Sequence, residues 1–151
     1  MRGVRTAAEI DGGVLVGDDG SDAALRAVEY AAEEAARRVS DLHVLRAWTI
    51  PTAQRPPDQP FGITPSILEL QDATRAHTLQ RAERAGARHP GVRIHVHTVY
   101  GRGDRALIAA SAGADVLVVG SRALSRIGNF LIGSTAAACI RQAPVPVVVV
   151  R

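Results

Sequence analysis

The stretch Asp115-Val-Leu-Val-Val-Gly-Ser-Arg-Ala-Leu-Ser-Arg-Ile-Gly-Asn-Phe-Leu-Ile-Gly-Ser-Thr-Ala-Ala-Ala-Cys139 decides the fold. It opens with Val116 to Val119, an apolar run too short for a helix and rich in β-branched residues. That pattern predicts a strand buried on both faces. It closes with Ala136-Ala-Ala-Cys-Ile-Arg141, which reads as a helix. Between them lies a loop carrying Gly120, Gly128 and Gly133, with Arg122 and Arg126, and Ser134-Thr135 at the helix start. A strand, a glycine-bearing loop and a helix N-terminus form a site for an anion. Free backbone N–H groups point at the ligand, and the helix dipole favours negative charge there. The plainer alternative is a loop closed by an ordinary Ser/Thr N-cap.

The same alternation extends towards both ends of the chain. Val14 to Gly17 reads as a buried strand, and Asp18-Asp-Gly-Ser-Asp22 as a turn leading into a helix over 23–38. In that helix Leu25, Val28, Ala32 and Ala35 share one face. Strands are predicted at 42–48 and 92–100, and a long helix at 65–88. Pro51 to Pro60 holds four prolines and reads as a long loop. A helix is predicted at 105–112, and a strand at 147–150 after the breakers Pro144 and Pro146. The order β-α-β-α-β-α-β-α-β predicts a three-layer α/β fold, a Rossmann-like parallel sheet with helices on both faces. Ligands on such sheets sit beyond the carboxyl ends of the strands. The candidate loops at that edge start at Asp18, Trp48, Gly101 and Gly120. Residues 1–12 lack a period and read as a flexible lead-in to a single domain over 13–151.

Composition narrows the chemistry. The 151 residues are 46% hydrophobic but only 3% aromatic, so the core is aliphatic. All 18 basic residues are arginine, and the formal charge is +3. Without lysine there is no Schiff base and no P-loop lysine. Dispersed arginines and scarce aromatics argue against nucleic acid. Cys139, the lone cysteine, cannot form an intrachain disulfide and sits on the apolar face of the last helix as a small core residue. No apolar run approaches the ~18 residues of a membrane span. With no signal-peptide pattern at the start, the expectation is a cytoplasmic protein without membrane association.

Several catalytic patterns fail on their own terms. Asp18-Asp19 after the first strand suggests a receiver domain, but Tyr100-Gly101 stands where its acceptor aspartate belongs, and its lysine is missing. Gly101-Arg-Gly-Asp-Arg-Ala106 fits G-x-G-x-x-A, but in the third β-α unit and with no acidic residue ending the next strand. His95 and His97 point to one face of a strand; with no third ligand evident they read as surface histidines on an edge strand. No nucleophile–base pair is identifiable, so efficient catalysis is not expected.

Gly120-x-x-Ala123, nine residues, then Gly133-Ser134 resembles the nucleotide signature of the universal stress protein family, G-x-x-G, nine residues, then G and Ser or Thr. Val16-Gly-Asp-Asp-Gly-Ser21, Arg46-Ala-Trp48, Val118-Val-Gly-Ser-Arg122 and Ala143-Pro-Val-Pro-Val-Val-Val-Val150 resemble further parts of that family's pattern. The resemblance implies a five-stranded sheet in the order 3-2-1-4-5 and a homodimer through the terminal strand, Pro146 to Val150. It also implies a stress-response role and, in one branch, bound ATP. Carried over by position, Asp19 meets the ribose or adenine and Ala47 lies against the base. Gly120, Ser121, Arg122, Gly133, Ser134 and Thr135 face the phosphates, and Gly17, Asp18, Val119 and Ala123 complete the site. A Mg²⁺ ion would be held mostly by the phosphates. Ala123 departs from the signature's second glycine. If that position needs φ > 0, its Cβ costs about 1 kcal/mol or more, which favours AMP or an empty site over ATP. The alternative is an interaction module of the same fold that binds no nucleotide.

Overall fold

Segments of four to seven residues rich in Val, Leu and Ile make the five strands of the main sheet, and alanine-bearing segments make the helices that cover them. The computed structural model describes residues 2–121, 125–127 and 130–151, the side chains of 125–127 and 130–131 excepted. In chain order the elements are β1 (Val14–Gly17), α1 (Asp22–Arg38), β2 (Leu42–Trp48), α2 (Ile67–Gly86), β3 (Ile94–Tyr100) and α3 (Gly103–Ser111). They continue with β4 (Val116–Gly120), β5 (Ser125–Ile127), β6 (Phe130–Ile132), α4 (Ser134–Gln142) and β7 (Val147–Val150). One turn of 3₁₀-helix, Ile50–Thr52, opens the proline-rich loop.

Five strands form one parallel sheet in the order β3-β2-β1-β4-β7. Counting those five alone, this is the expected 3-2-1-4-5. One departure lies between β4 and α4, where the sequence predicts a loop. There β5 and β6 pair as an antiparallel hairpin, with Ser125 opposite Ile132 and Ile127 opposite Phe130.

Side-chain alternation along each strand divides the core in two. Val14, Val16, Leu42, Val44, Val96, Val116 and Val118 meet Ala27, Val28, Ala31, Ala32 and Ala35 of α1 and Ala82 and Ala85 of α2. Leu15, Leu45, Val99, Leu117 and Val119 meet Leu107 and Ala110 of α3 and Ala136 and Cys139 of α4. Short alanine side chains let the helices lie close on the sheet. Helix ends follow local chemistry. Ser21 Oγ accepts from Ala24 N–H at 3.1 Å, and Ser66 and Glu69 form a reciprocal capping box at α2. Residues 2–12 carry no helix or strand but lie along the domain. Gly12 N–H bonds Gly113 O, Tyr100 N–H bonds Arg5 O, and Ala8 and Ile10 pack against the second core.

The chain runs β1 to β2 to β3 in one direction, then returns past β1 to β4 and β7. Its switch point therefore lies between the carboxyl ends of β1 and β4, where a ligand site on such a sheet is expected.

Candidate functional site between the ends of β1 and β4

A cavity of about 280 Å³ opens at that switch point. Gly17, Asp18 and Asp19 bring the end of β1 to it, Leu45 and Ala47 the end of β2, and Val119 and Gly120 the end of β4. Gly133, Ser134, Thr135 and Ala136 form the start of α4 along its rim, and Gly103 and Leu107 come from α3. Nine of the twelve residues singled out in the sequence therefore meet in one place. Ser121 does not line the cavity: its N–H is bonded to Val150 O at 2.8 Å. Arg122 and Ala123, like Gly128 and the side chain of Arg126, lie outside the described residues.

The cavity owes its shape to small residues. A Cβ on Gly17 would lie 2.7 Å from Leu107 Cδ1, and one on Gly120 would lie 3.0 Å from the carbonyl oxygen of Ala23. The absence of a side chain at those two positions lets α3 and the start of α1 close on the strand ends. At Gly20, φ is +85°, a left-handed turn that glycine adopts without strain.

Two helices aim their N-termini here. In α1 the first turn is capped by Ser21. In α4 the N-cap residue is Gly133, which has no side chain to cap with. The amides of Ser134, Thr135 and Ala136 thus have no acceptor within the helix. They lie at the positive end of a nine-residue helix dipole. A polar, amide-rich rim at Gly133–Ala136 faces an apolar wall of Leu45, Ala47, Leu107 and Val119. That division suits an amphipathic ligand with an anionic end and a flat apolar end.

The two aspartates differ. Asp19 is exposed, and its Oδ1 accepts from Ser21 N–H at 2.9 Å. The side chain of Asp18 is fully buried. Its Oδ2 accepts from Arg81 Nε at 2.8 Å, and its Oδ1 from Arg81 Nη2 and Gly20 N–H, each at 2.9 Å. Asp18 consequently borders the cavity with its backbone, and its carboxylate anchors α2. Arg46 lies close by, and burial pulls its pKa below the ordinary value against the field of Asp18 and Asp19. Cys139 is fully buried, and burial pushes its thiol up to about 11, so it stays protonated and unreactive.

Sequence reasoning missed Ser21, Ala23, Ala24, Leu45, Gly103, Leu107 and Ala136 as lining residues. Gly103 had a signal, since it belongs to the Gly101–Ala106 pattern. The rest follow from the packing of α1, α3 and α4 on the strand ends.

Fold and cavity together define a doubly wound α/β domain with a ligand-sized opening at its switch point. The chain belongs to the universal stress protein family, whose sequence profile matches residues 13–151. It is 34% identical over 138 residues to Universal stress protein Rv2005c of Mycobacterium tuberculosis, covering 91% of this chain and 45% of that protein. Against Universal stress protein Rv2623 of the same organism it is 35% identical, covering 91% and 44%. The chain thus spans less than half the length of these curated relatives. A solved universal stress protein in complex with cAMP superposes with a TM-score of 0.69 at 28% identity, covering 95% of this chain and 99% of that one.

Proposed function

We propose that the cavity binds an adenine nucleotide and that the protein works as a nucleotide-responsive regulator of the stress response rather than as an enzyme. The observation that carries this reading is the uncapped N-terminus of α4 facing an apolar wall across a cavity of about 280 Å³. The similar solved protein in complex with cAMP supports adenine as the base. The base lies against Ala47, with Leu45 and Val119 around it, and Asp19 meets the ribose. Gly120, Gly133, Ser134 and Thr135 hold the phosphates through amides and hydroxyls. Gly17 and the backbone of Asp18 close the floor.

At about 280 Å³ the cavity falls just below the roughly 300–1,000 Å³ usual for ligand pockets. That favours a nucleoside monophosphate over ATP with Mg²⁺; bound ATP would bring Mg²⁺ mainly on its own phosphates. Titration calorimetry of AMP, cAMP and ATP with Mg²⁺ tests the reading. Heat of binding is expected for at least one of them, and Ala47→Trp is expected to abolish it. No heat from any of the three at millimolar concentration refutes it.

The outer edge of β7 supports one statement about assembly. β7 is the last strand of the sheet, is made of four valines and carries no partner on its far side among the described residues. Bare apolar edges invite pairing. We propose that Pro146–Val150 pairs with its twin in a homodimer of a cytoplasmic protein; a monomeric mass by light scattering refutes the pairing. An interaction module without nucleotide would use this same edge or the Pro51–Pro60 loop, and the calorimetry separates it from the first reading.

A further inference from the structure

At the opposite, amino-terminal edge of the sheet, parallel pairing of β2 with β3 places His43 beside His95. Their rings stack with centroids 4.6 Å apart and planes 13° from parallel. Asp41, just before β2, puts Oδ2 at 2.8 Å from His95 Nε2. One carboxylate oxygen of Asp41 and one ring nitrogen each of His43 and His95 lie within 4.8 Å of one another. His97, two residues along β3, holds His43 Nδ1 through its Nε2 at 3.0 Å. The strand position that offers two histidines from β3 thus receives a third imidazole and a carboxylate from β2.

We infer that Asp41, His43 and His95 bind a divalent transition-metal ion of the zinc class, with His97 positioning His43 through its ring nitrogen. Ligand type selects the ion. Two imidazoles and one carboxylate suit Zn²⁺, whereas Mg²⁺ and Ca²⁺ require a shell of oxygens. Spacing agrees. Ligands at ~2.1 Å from a tetrahedral ion stand about 3.4 Å apart. The three donor atoms already lie within 4.8 Å of one another, and His95 turns out of its stack on His43 to bring both lone pairs onto one ion. The fourth position opens to solvent, because the side chains of His95 and Asp41 are 38% and 42% exposed. The scaffold is rigid. Asp41 O accepts from Val14 N–H at 3.0 Å, Leu42 N–H donates to Arg93 O at 2.9 Å, and His43 is buried. A ligating histidine whose other nitrogen is held by a second group is the usual outer-shell arrangement. Arg75 of α2, whose charge acts on His97, donates its Nη1 to Val96 O. Cys139 offers no rival site, since it is fully buried on α4.

The test uses untagged, nucleotide-free protein with ZnCl₂ and CoCl₂ as probes. One Zn²⁺ per chain is expected, undisturbed by excess Mg²⁺, with Co²⁺ giving a four-coordinate visible spectrum. Zinc should shift the ring resonances of His43 and His95 and leave those of His77 and His89 in place. Asp41→Asn and His95→Gln are expected to weaken zinc binding on the order of 100-fold, and His97→Gln about 10-fold with the Co²⁺ spectrum retained. Unchanged affinity in both ligand variants, displacement by Mg²⁺, or shifts confined to other histidines overturns the inference. The wild-type resonances decide the matter even if a variant fails to fold.

Discussion

Asp18→Asn should destabilise the domain by far more than the loss of one polar contact. The side chain of Asp18 is fully buried and that of Arg81 is 14% exposed, so the pair is held almost out of water. Three hydrogen bonds converge on the carboxylate, two of them from one guanidinium. Arg46 sits beside them, 6% exposed, with Nη1 lacking any partner and Nη2 reaching Thr52 O at 3.3 Å. Neutralising Asp18 leaves the buried Arg81 guanidinium without its paired anion and removes the stronger of the two carboxylates that favour the Arg46 charge. Removing one member of a buried pair costs about 3–5 kcal/mol. Against the ~5–15 kcal/mol stability of a typical domain, that is about a fifth or more. For a chain of this length it lowers Tm by roughly 6–20 °C. Urea unfolding of Asp18→Asn and of the double variant Asp18→Leu/Arg81→Met measures both the loss and its cause. The double variant is expected to be the more stable of the two, because it removes one unpaired charge. An Asp18→Asn loss below about 1 kcal/mol, or a double variant no better than the single, refutes the account of Asp18 as the anchor of α2.

Val39 ends α1 at φ +52°, a left-handed conformation that strains a β-branched residue, and it is 93% exposed. Val39→Gly should stabilise the domain by about 1 kcal/mol, read as a higher urea midpoint at unchanged m-value. Burial, first, and the neighbouring His43 hold the His97 pKa down to about 4, against an ordinary 6.5. Its imidazole is therefore neutral in both states above pH 6.5. Between about 6.5 and 4 the unfolded chain alone gains the proton, so stability falls with pH and levels off below. With part of the ring in solvent the loss is on the order of 1–2 kcal/mol, and His97→Gln should flatten that part of a pH–stability profile.

Much of this architecture was legible because each strand of the main sheet is a run that little else fits. Val116–Val119 and Val147–Val150 are too short and too β-branched for helices, and the segment between the first two strands carries Leu25, Val28, Ala32 and Ala35 at helical spacing. The hairpin of β5 and β6 escaped because three-residue strands carry little periodicity, although Gly128-Asn129 between Ile127 and Phe130 was a usable hairpin cue. The two roles of Asp18 and Asp19 were hidden in a sequence that shows them as equals. Strand alternation puts Asp18 on the side of Val16, towards α1 and α2, where Arg81 meets it. The histidine cluster was half visible. His95 and His97 declare themselves by spacing, but His43 joins them only through the register of β2 against β3, which no local pattern specifies. The cavity was read from one family-like signature, and its α3 wall only from packing.

The opening at the strand ends is partly a matter of omitted atoms, and Gly103 shows how simply it is reversed. Among the described residues a methyl there would meet Ala47 Cβ at 3.9 Å and Thr135 Oγ1 at 4.0 Å, ordinary contact distances. Gly103→Ala should therefore tighten the first turn of α3 and raise stability by about 0.5 kcal/mol, while narrowing the space beside Ala47. A thermal melt together with nucleotide titration of that variant would set cohesion against receptivity at a single carbon. The same substitution combined with a larger residue at 47 is a direct route to a sturdier, ligand-deaf form of the domain.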